Sequence, residues 1–251
     1  MDKIKIISKE CKFSNWLNVY VEKVLLPNNK EVERDIIEKG DAVGIVALND
    51  NNELFLVKQP RVAHMIPDFV ELPAGIIEEK HNFNPLNAAK AELREETGCD
   101  PETCTWTYLG KYIPDTSSCT TKIHLYLAEH VQVKYELDLD EDEYLTSFTI
   151  PFAEAVKKVE DFNDRTFNDS CAIIGITRAA HYLNNRKKYP TIINKNIILR
   201  NEKNSFLREV NRYIILEKMS NNIPITAVSS IFSCKLILLL DVENILIVPK
   251  R

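Results

Sequence analysis

The sequence predicts an α+β sandwich, and three observations carry that reading. Short runs rich in Val, Ile, Leu, Tyr and Phe, divided by turn clusters, fill the chain up to about residue 150. One well-capped helix is set among those runs at 85–97, and apolar residues recur at helical spacing after residue 150. Sheet, helix, sheet, helix is the order of a layered α+β domain.

Taken in order, LNVYVEKVLL (17–26), EVERDIIEK (31–39), DAVGIVALN (41–49) and ELFLVKQ (53–59) read as strands. Pro27-Asn28-Asn29 and Asn49-Asp50-Asn51-Asn52 supply turns between them. WTYLGKYI (106–113) and KIHLYLAEHVQV (122–133) continue the sheet, and LTSFTI (145–150) is its last strand. A helix is expected over 153–162. A second is expected from about Asp169 to Lys187, with Ile173, Ile174, Ile176, Ala179, Ala180 and Leu183 roughly on one side. The chain therefore divides into an N-terminal strand segment (1–40), a central domain (41–188) and a C-terminal extension (189–251), with no internal repeat. In the extension SFLREVNRYIILEKMSNN (205–222) can form a helix. CKLILLLDVENILIV (234–248) suits a hairpin, and Asp241 and Glu243 break it too early for a membrane span.

Composition bounds the function. The chain has 251 residues, 45% of them hydrophobic, enough for one ordinary core plus some extra. A net charge of −5 argues against a nucleic-acid partner, because phosphate backbones are held by basic surfaces. The six cysteines (11, 99, 104, 119, 171 and 234) form no C-x-x-C pair, which suits free thiols in a reducing compartment. MDKIKIISKECK has no apolar signal core, so a cytoplasmic protein that handles a small molecule is expected.

The central helix carries the chemistry. Asn84 can cap it, Pro85 suits its first turn, Leu86, Ala89 and Leu93 form a stripe that faces the core, and Gly98 stops it. Glu92 shares a face with both Glu95 and Glu96, and no Lys or Arg stands three or four positions from any of them. An acidic helix face is ordinarily solvated surface. Here, however, like charges one turn apart cost a few tenths of a kcal/mol per pair, and they face the negative end of the helix dipole. A divalent cation reverses both penalties. Carboxylates suit Mg²⁺ or Mn²⁺, which completes its shell with substrate phosphates and water.

Residues 71–98, ELPAGIIEEKHNFNPLNAAKAELREETG, resemble the Nudix box, a Gly and a Glu followed by Arg-Glu-hydrophobic-x-Glu-Glu-x-Gly-hydrophobic. Gly75 takes the first position and Glu92, Leu93, Glu95, Glu96, Gly98 and Cys99 the later ones. Ala91 stands where the family has Arg, and His81 where it has its first Glu, in a loop about two residues longer. Glu78 or Glu79 could substitute there. The likeness runs over roughly residues 15–186. It is most similar to ADP-ribose and ADP-sugar pyrophosphatases through LVKQPR (56–61), ELPAG (71–75), Pro114 and SSCTTKIHLYLA (117–128).

That resemblance implies a mixed sheet in an α/β/α sandwich, Mg²⁺ or Mn²⁺ as cofactor, and hydrolysis of a nucleoside diphosphate derivative to AMP and a sugar phosphate. It implies metal ligation by Glu92, Glu96 and the Ala74 carbonyl, with assistance from Glu95. Arg61 would contact the diphosphate, since bidentate phosphate recognition is what a guanidinium does best, and an ordinary strand-end arginine is the alternative. Glu71 would be a metal or substrate neighbour, or a solvated strand end. Trp16 would stack on adenine, or else pack at a dimer contact. The acidic run 136–151 occupies the place of the family's catalytic base, with Glu143 the first choice and Glu141 the second. A homodimer built through the N-terminal strands is implied too. The losses at 81 and 91 leave a second reading, a nucleotide-binding module with impaired turnover.

Overall fold

The structure is a computed structural model and describes residues 3–139, 143–186, 238–241 and 244–247. The chain separates into two compact units, Met1–Pro190 and Thr191–Arg251.

The first unit opens with an antiparallel three-stranded sheet of β1 (Lys5–Ser14), β2 (Asn18–Leu25) and β3 (Glu31–Glu38). The turn between β2 and β3 is closed by Asn29, whose positive φ of 61° an Asn tolerates. The main sheet contains β4 (Ala42–Leu48), β5 (Glu53–Arg61), β6 (Ile66–Glu71), β7 (Ala74–Ile76), β8 (Thr105–Tyr112), β9 (Ile123–Glu129) and β10 (Thr146–Pro151). Its order is β10-β5-β4-β9-β8, with β6 added to β5 and β7 to β4. The β4–β9 pair is parallel and the other pairs antiparallel, so the sheet is mixed as expected.

Central strand β4 explains the layering, because its side chains alternate between two cores. Val43, Ile45 and Ala47 meet Ala88, Ala89 and Leu93 of α1 (Pro85–Thr97). Val46 and Leu48 point the other way, into a core shared with Ala155 of α2 (Phe152–Glu160) and Ala172, Ile176 and Ala179 of α3 (Ser170–Asn185). Both faces are covered, which gives the α/β/α sandwich. Burial of each Val, Leu or Ile contributes roughly 1.5–3 kcal/mol.

Three strands were not legible in the sequence. β1 is exposed along its whole length, so no buried face imposes an alternating pattern on it. β6 contains Pro67 and is exposed over its first half, and β7 has only three residues. The expected strand 122–133 ends at Glu129, because His130 takes a φ of 67°. Helix α3 buries Ala172, Gly175, Ile176 and Ala179, while Ile173 faces outward, so its packing face is built of smaller residues than the isoleucine pattern implied.

In the second unit β11 (Leu238–Asp241) pairs antiparallel with β12 (Asn244–Ile247), the hairpin expected there. The helix expected at 205–222 lies outside the described residues. Among the described residues no helix is long and apolar enough to cross a membrane, and Cys11, Cys99, Cys104, Cys119 and Cys171 are all free thiols.

Candidate active site

The site is assembled around α1, whose ends are fixed as its sequence required. Asn84 Oδ1 accepts from the N–H groups of Leu86 and Asn87 at 2.9 and 3.2 Å. Gly98 closes the helix at φ 67°, and its carbonyl accepts from the N–H groups of Lys134 and Tyr135. A helix held at both ends presents its side chains at fixed positions. Glu92 and Glu96, one turn apart, are 9% and 3% exposed and flank the buried Leu93. The solvated-face reading therefore fails for these two.

The short strand β7 receives both carboxylates. Glu96 Oε2 accepts from the Ala74 N–H at 2.9 Å, and the Glu92 carboxylate lies against Gly75, where a β-carbon would collide with it. Burial pushes Glu92 up to about 7, with the charge of Glu95 adding to the effect and Lys80 opposing it. Glu96 is held well above the ordinary carboxylate range by burial and by Glu92, against the pull of the Ala74 N–H. Glu143, just before β10, is exposed, and its charge raises both Glu92 and Glu96, so the chain brings it into their electrostatic reach. Glu141 lies outside the described residues.

The loop before α1 folds into a 3₁₀ turn, Glu79–His81. His81 is buried, and its Nδ1 accepts from the Glu78 N–H at 3.1 Å, so it serves the turn rather than the carboxylates. The turn corrects one inference from the helix sequence. No cation lies beside the acidic face along α1, yet Lys80 arrives from outside it, with Nζ 3.9 Å from Glu95 Oε2 and 3.7 Å from Glu78 Oε2.

A cavity of about 970 Å³ is lined by Trp16, Arg61, Phe69, Glu71, Asn168 and Asp169 among others. Arg61 directs Nε and Nη2 at Glu71 Oε2, 2.7 and 2.6 Å away, which leaves further N–H donors of its guanidinium for a ligand. The Glu71 carboxylate is well shielded from solvent, and burial pushes it up against the opposing pull of Arg61. Glu71 links the two regions, since its charge acts on Glu96 and the charge of Asp169 acts on it. Trp16 stands at the cavity and is 68% exposed.

Asp169 escaped the sequence reading except as the start of a helix. Its Oδ1 caps α3 through the Ala172 N–H at 2.8 Å, and its buried Oδ2 has no hydrogen-bond partner among the described residues. The only sequence signal was an Asp at a helix N-terminus, which is commonplace.

Among the described residues no three acidic, His or Cys side chains stand ready to enclose a metal ion. The donor set nonetheless fits Mg²⁺ or Mn²⁺. These ions need one or two carboxylates when substrate phosphates and water complete the shell, and Glu92 and Glu96 are two buried carboxylates whose mutual repulsion a cation would relieve.

The comparisons with known proteins indicate a hydrolase acting on pyrophosphate bonds, on the mixed-sheet α/β/α sandwich. The chain belongs to the NUDIX domain family, whose sequence profile matches residues 38–170. It is 34% identical over 158 residues to the ADP-ribose pyrophosphatase of Bacillus subtilis (strain 168), across 62% of this chain and 83% of that protein. It is 30% identical over 174 residues to the methanol dehydrogenase activator of Bacillus methanolicus, across 68% of this chain and 90% of that protein. Its fold matches the solved structure described as an ADP compounds hydrolase with a TM-score of 0.61 and 22% identity, over 73% of this chain and 96% of that one.

Proposed function

We propose that this protein hydrolyses the diphosphate bond of a nucleoside diphosphate derivative, ADP-ribose or an ADP-sugar by preference, to AMP and a sugar phosphate with Mg²⁺ or Mn²⁺. The observation that carries the proposal is the burial of Glu92 and Glu96 together against Ala74 and Gly75, with Glu71 of the cavity that holds Arg61 acting on Glu96 through its charge. The relatives named as ADP-ribose pyrophosphatases support the substrate class.

Glu92, Glu96 and the Ala74 carbonyl would hold the cation. When bound, it neutralises phosphate charge and makes water a better nucleophile. Glu95 assists by supporting the ligand carboxylates. Arg61, already oriented by Glu71, binds the diphosphate through its remaining N–H donors. Trp16 offers its exposed ring to the base, and Asp169 Oδ2 accepts from a ligand hydroxyl or amine. Glu143 takes the proton of the attacking water as the new P–O bond forms and the bridging P–O bond breaks. The bridging oxygen leaves on the second phosphate.

The acidic balance supports a small-molecule partner over a nucleic acid. A cytoplasmic homodimer is the assembly and setting we propose. Incubation with a panel of ADP-ribose, ADP-sugars, dinucleotide cofactors and dinucleoside polyphosphates under Mg²⁺ or Mn²⁺, with products resolved by chromatography, tests the reaction. AMP release from ADP-ribose is expected. The replacement of the box Arg and Glu by Ala91 and His81 favours one competing reading, a nucleotide-binding module. Tight nucleotide binding with no product under any cation would establish that reading instead.

A further inference from the structure

We infer that Lys80, from the loop, positions Glu95 by supplying a positive charge beside it, in a chain that has Ala91 where the box carries an arginine. This rests on the metal-dependent hydrolase reading above.

Ala91 and Glu95 are one helical turn apart, so a guanidinium at 91 would lie beside the Glu95 carboxylate. Lys80 Nζ reaches that same carboxylate, at 3.9 Å from Oε2. Its charge also acts on Glu92, where it opposes the upward push of burial. The cations of α1 itself, Lys90 and Arg94, have partners elsewhere. Lys90 Nζ bonds Glu102 at 2.8 Å, and the Arg94 guanidinium lies 4.8 Å from the centre of the Tyr135 ring. Among the described residues Lys80 is the cation that approaches Glu95 and acts on Glu92.

The loop is built to hold it there. His81 Nδ1 binds the Glu78 N–H, the Asn82 N–H donates to the Glu79 carbonyl at 2.7 Å, and Asn82 tolerates the φ of 54° that ends the turn. Asn87, in the first turn of α1, donates through Nδ2 to the His81 carbonyl at 3.2 Å, which ties the turn to the helix. Glu78 Oε2 also lies near Lys80 Nζ, at 3.7 Å. A longer loop thus brings back to Glu95 the positive charge that the helix lost. Lys80 is a positioning residue: it keeps Glu95 from collapsing onto the cation site or turning away from it.

Lys80→Met, Lys80→Arg and Glu96→Gln test the inference through Mn²⁺ binding, followed by electron paramagnetic resonance, alongside kcat and KM. A lysine that was only a nearby positive charge would repel Mn²⁺, so its loss would tighten binding. A positioning lysine gives the opposite sign. We expect Lys80→Met to weaken Mn²⁺ binding and lower kcat on the order of ten- to a hundredfold, the usual cost of losing a group that supports a metal site from outside its ligand shell. KM for the nucleotide should change little, Lys80→Arg should restore most of the loss, and Ala91→Arg should rescue the Lys80→Met background more than it improves the wild type. Mn²⁺ binding by Lys80→Met as tight as or tighter than wild type, with kcat unchanged, overturns the inference. Wild-type Mn²⁺ binding by Glu96→Gln would instead overturn the site reading beneath it. Lys80 is half-exposed, so its variants should fold normally.

Discussion

Gly75 lies directly against the Glu92 carboxylate, so that a β-carbon built on Gly75 would overlap the carboxyl carbon and both oxygens. The absence of a side chain at 75 lets a buried acid approach strand β7 while Glu96 binds the neighbouring Ala74 N–H. Gly75→Ala should therefore move Glu92 rather than unfold the chain. Displacement of a catalytic group by about 1 Å can cost a hundredfold in rate. Steady-state kinetics should show a kcat drop of that order with the circular dichroism spectrum retained, and wild-type kcat in the variant would refute the role given to Glu92.

Glu96→Gln should separate function from stability. Burial and the charge of Glu92 both disfavour the Glu96 carboxylate, so a neutral amide of the same shape relieves a cost. It also deletes a ligand. We expect hydrolysis of every diphosphate tested to be nearly abolished, with a melting temperature equal to or above that of the wild type. Equal turnover by the two proteins would show that the site is misassigned.

How far the sequence reached depends on whether local pattern or tertiary approach made each feature. The α1 caps, the acidic triplet and the apolar run of β4 are local, and they were legible. That Glu92 and Glu96 would be buried was not, because it depends on Gly75 and Ala74, which reach them from another element. Lys80 and Asp169 were hidden for the same reason. One comes from a turn and the other from a helix start distant in sequence, and neither residue type stands out where it occurs. β1 was invisible because a strand exposed on both faces carries no periodic signal.

The raised Glu92 gives a pH dependence with a definite sign. Its ordinary value is 4.5 and the folded value is about 7, so between these limits the folded chain binds more protons than the unfolded one. Stability then falls as pH rises through that window. In chelator-treated protein, chemical denaturation should show a loss on the order of a few kcal/mol between pH 4.5 and 7 from this group. Saturating Mn²⁺ should stabilise the protein more at pH 7.5 than at pH 5, since the cation competes with the proton. Stability that rises across the window in chelator, with no larger Mn²⁺ effect at the higher pH, would count against a protonated Glu92.

Strand β1 sets the last expectation. It pairs only with β2, so one of its edges is unpaired among the described residues, and Ile6, Ile7 and Phe13 expose 49–61% of their surface along it. An exposed apolar edge strand invites pairing with another chain, and a symmetric pair of copies is the commonest way to cover it. We expect a two-fold dimer in light scattering of the full chain and a monomer when residues 1–40 are removed. That truncation also removes Trp16 from the cavity that holds Arg61, so KM for ADP-ribose should rise along with the loss of the dimer. Ile6→Glu separates the two effects, because it places a charge on the exposed strand and leaves Trp16 in place. It should break the dimer, and if KM then stays at the wild-type value, each chain holds its own base through Trp16. A full-length chain that runs as a monomer and still hydrolyses ADP-ribose would exclude both the dimer and any sharing of the pocket between copies.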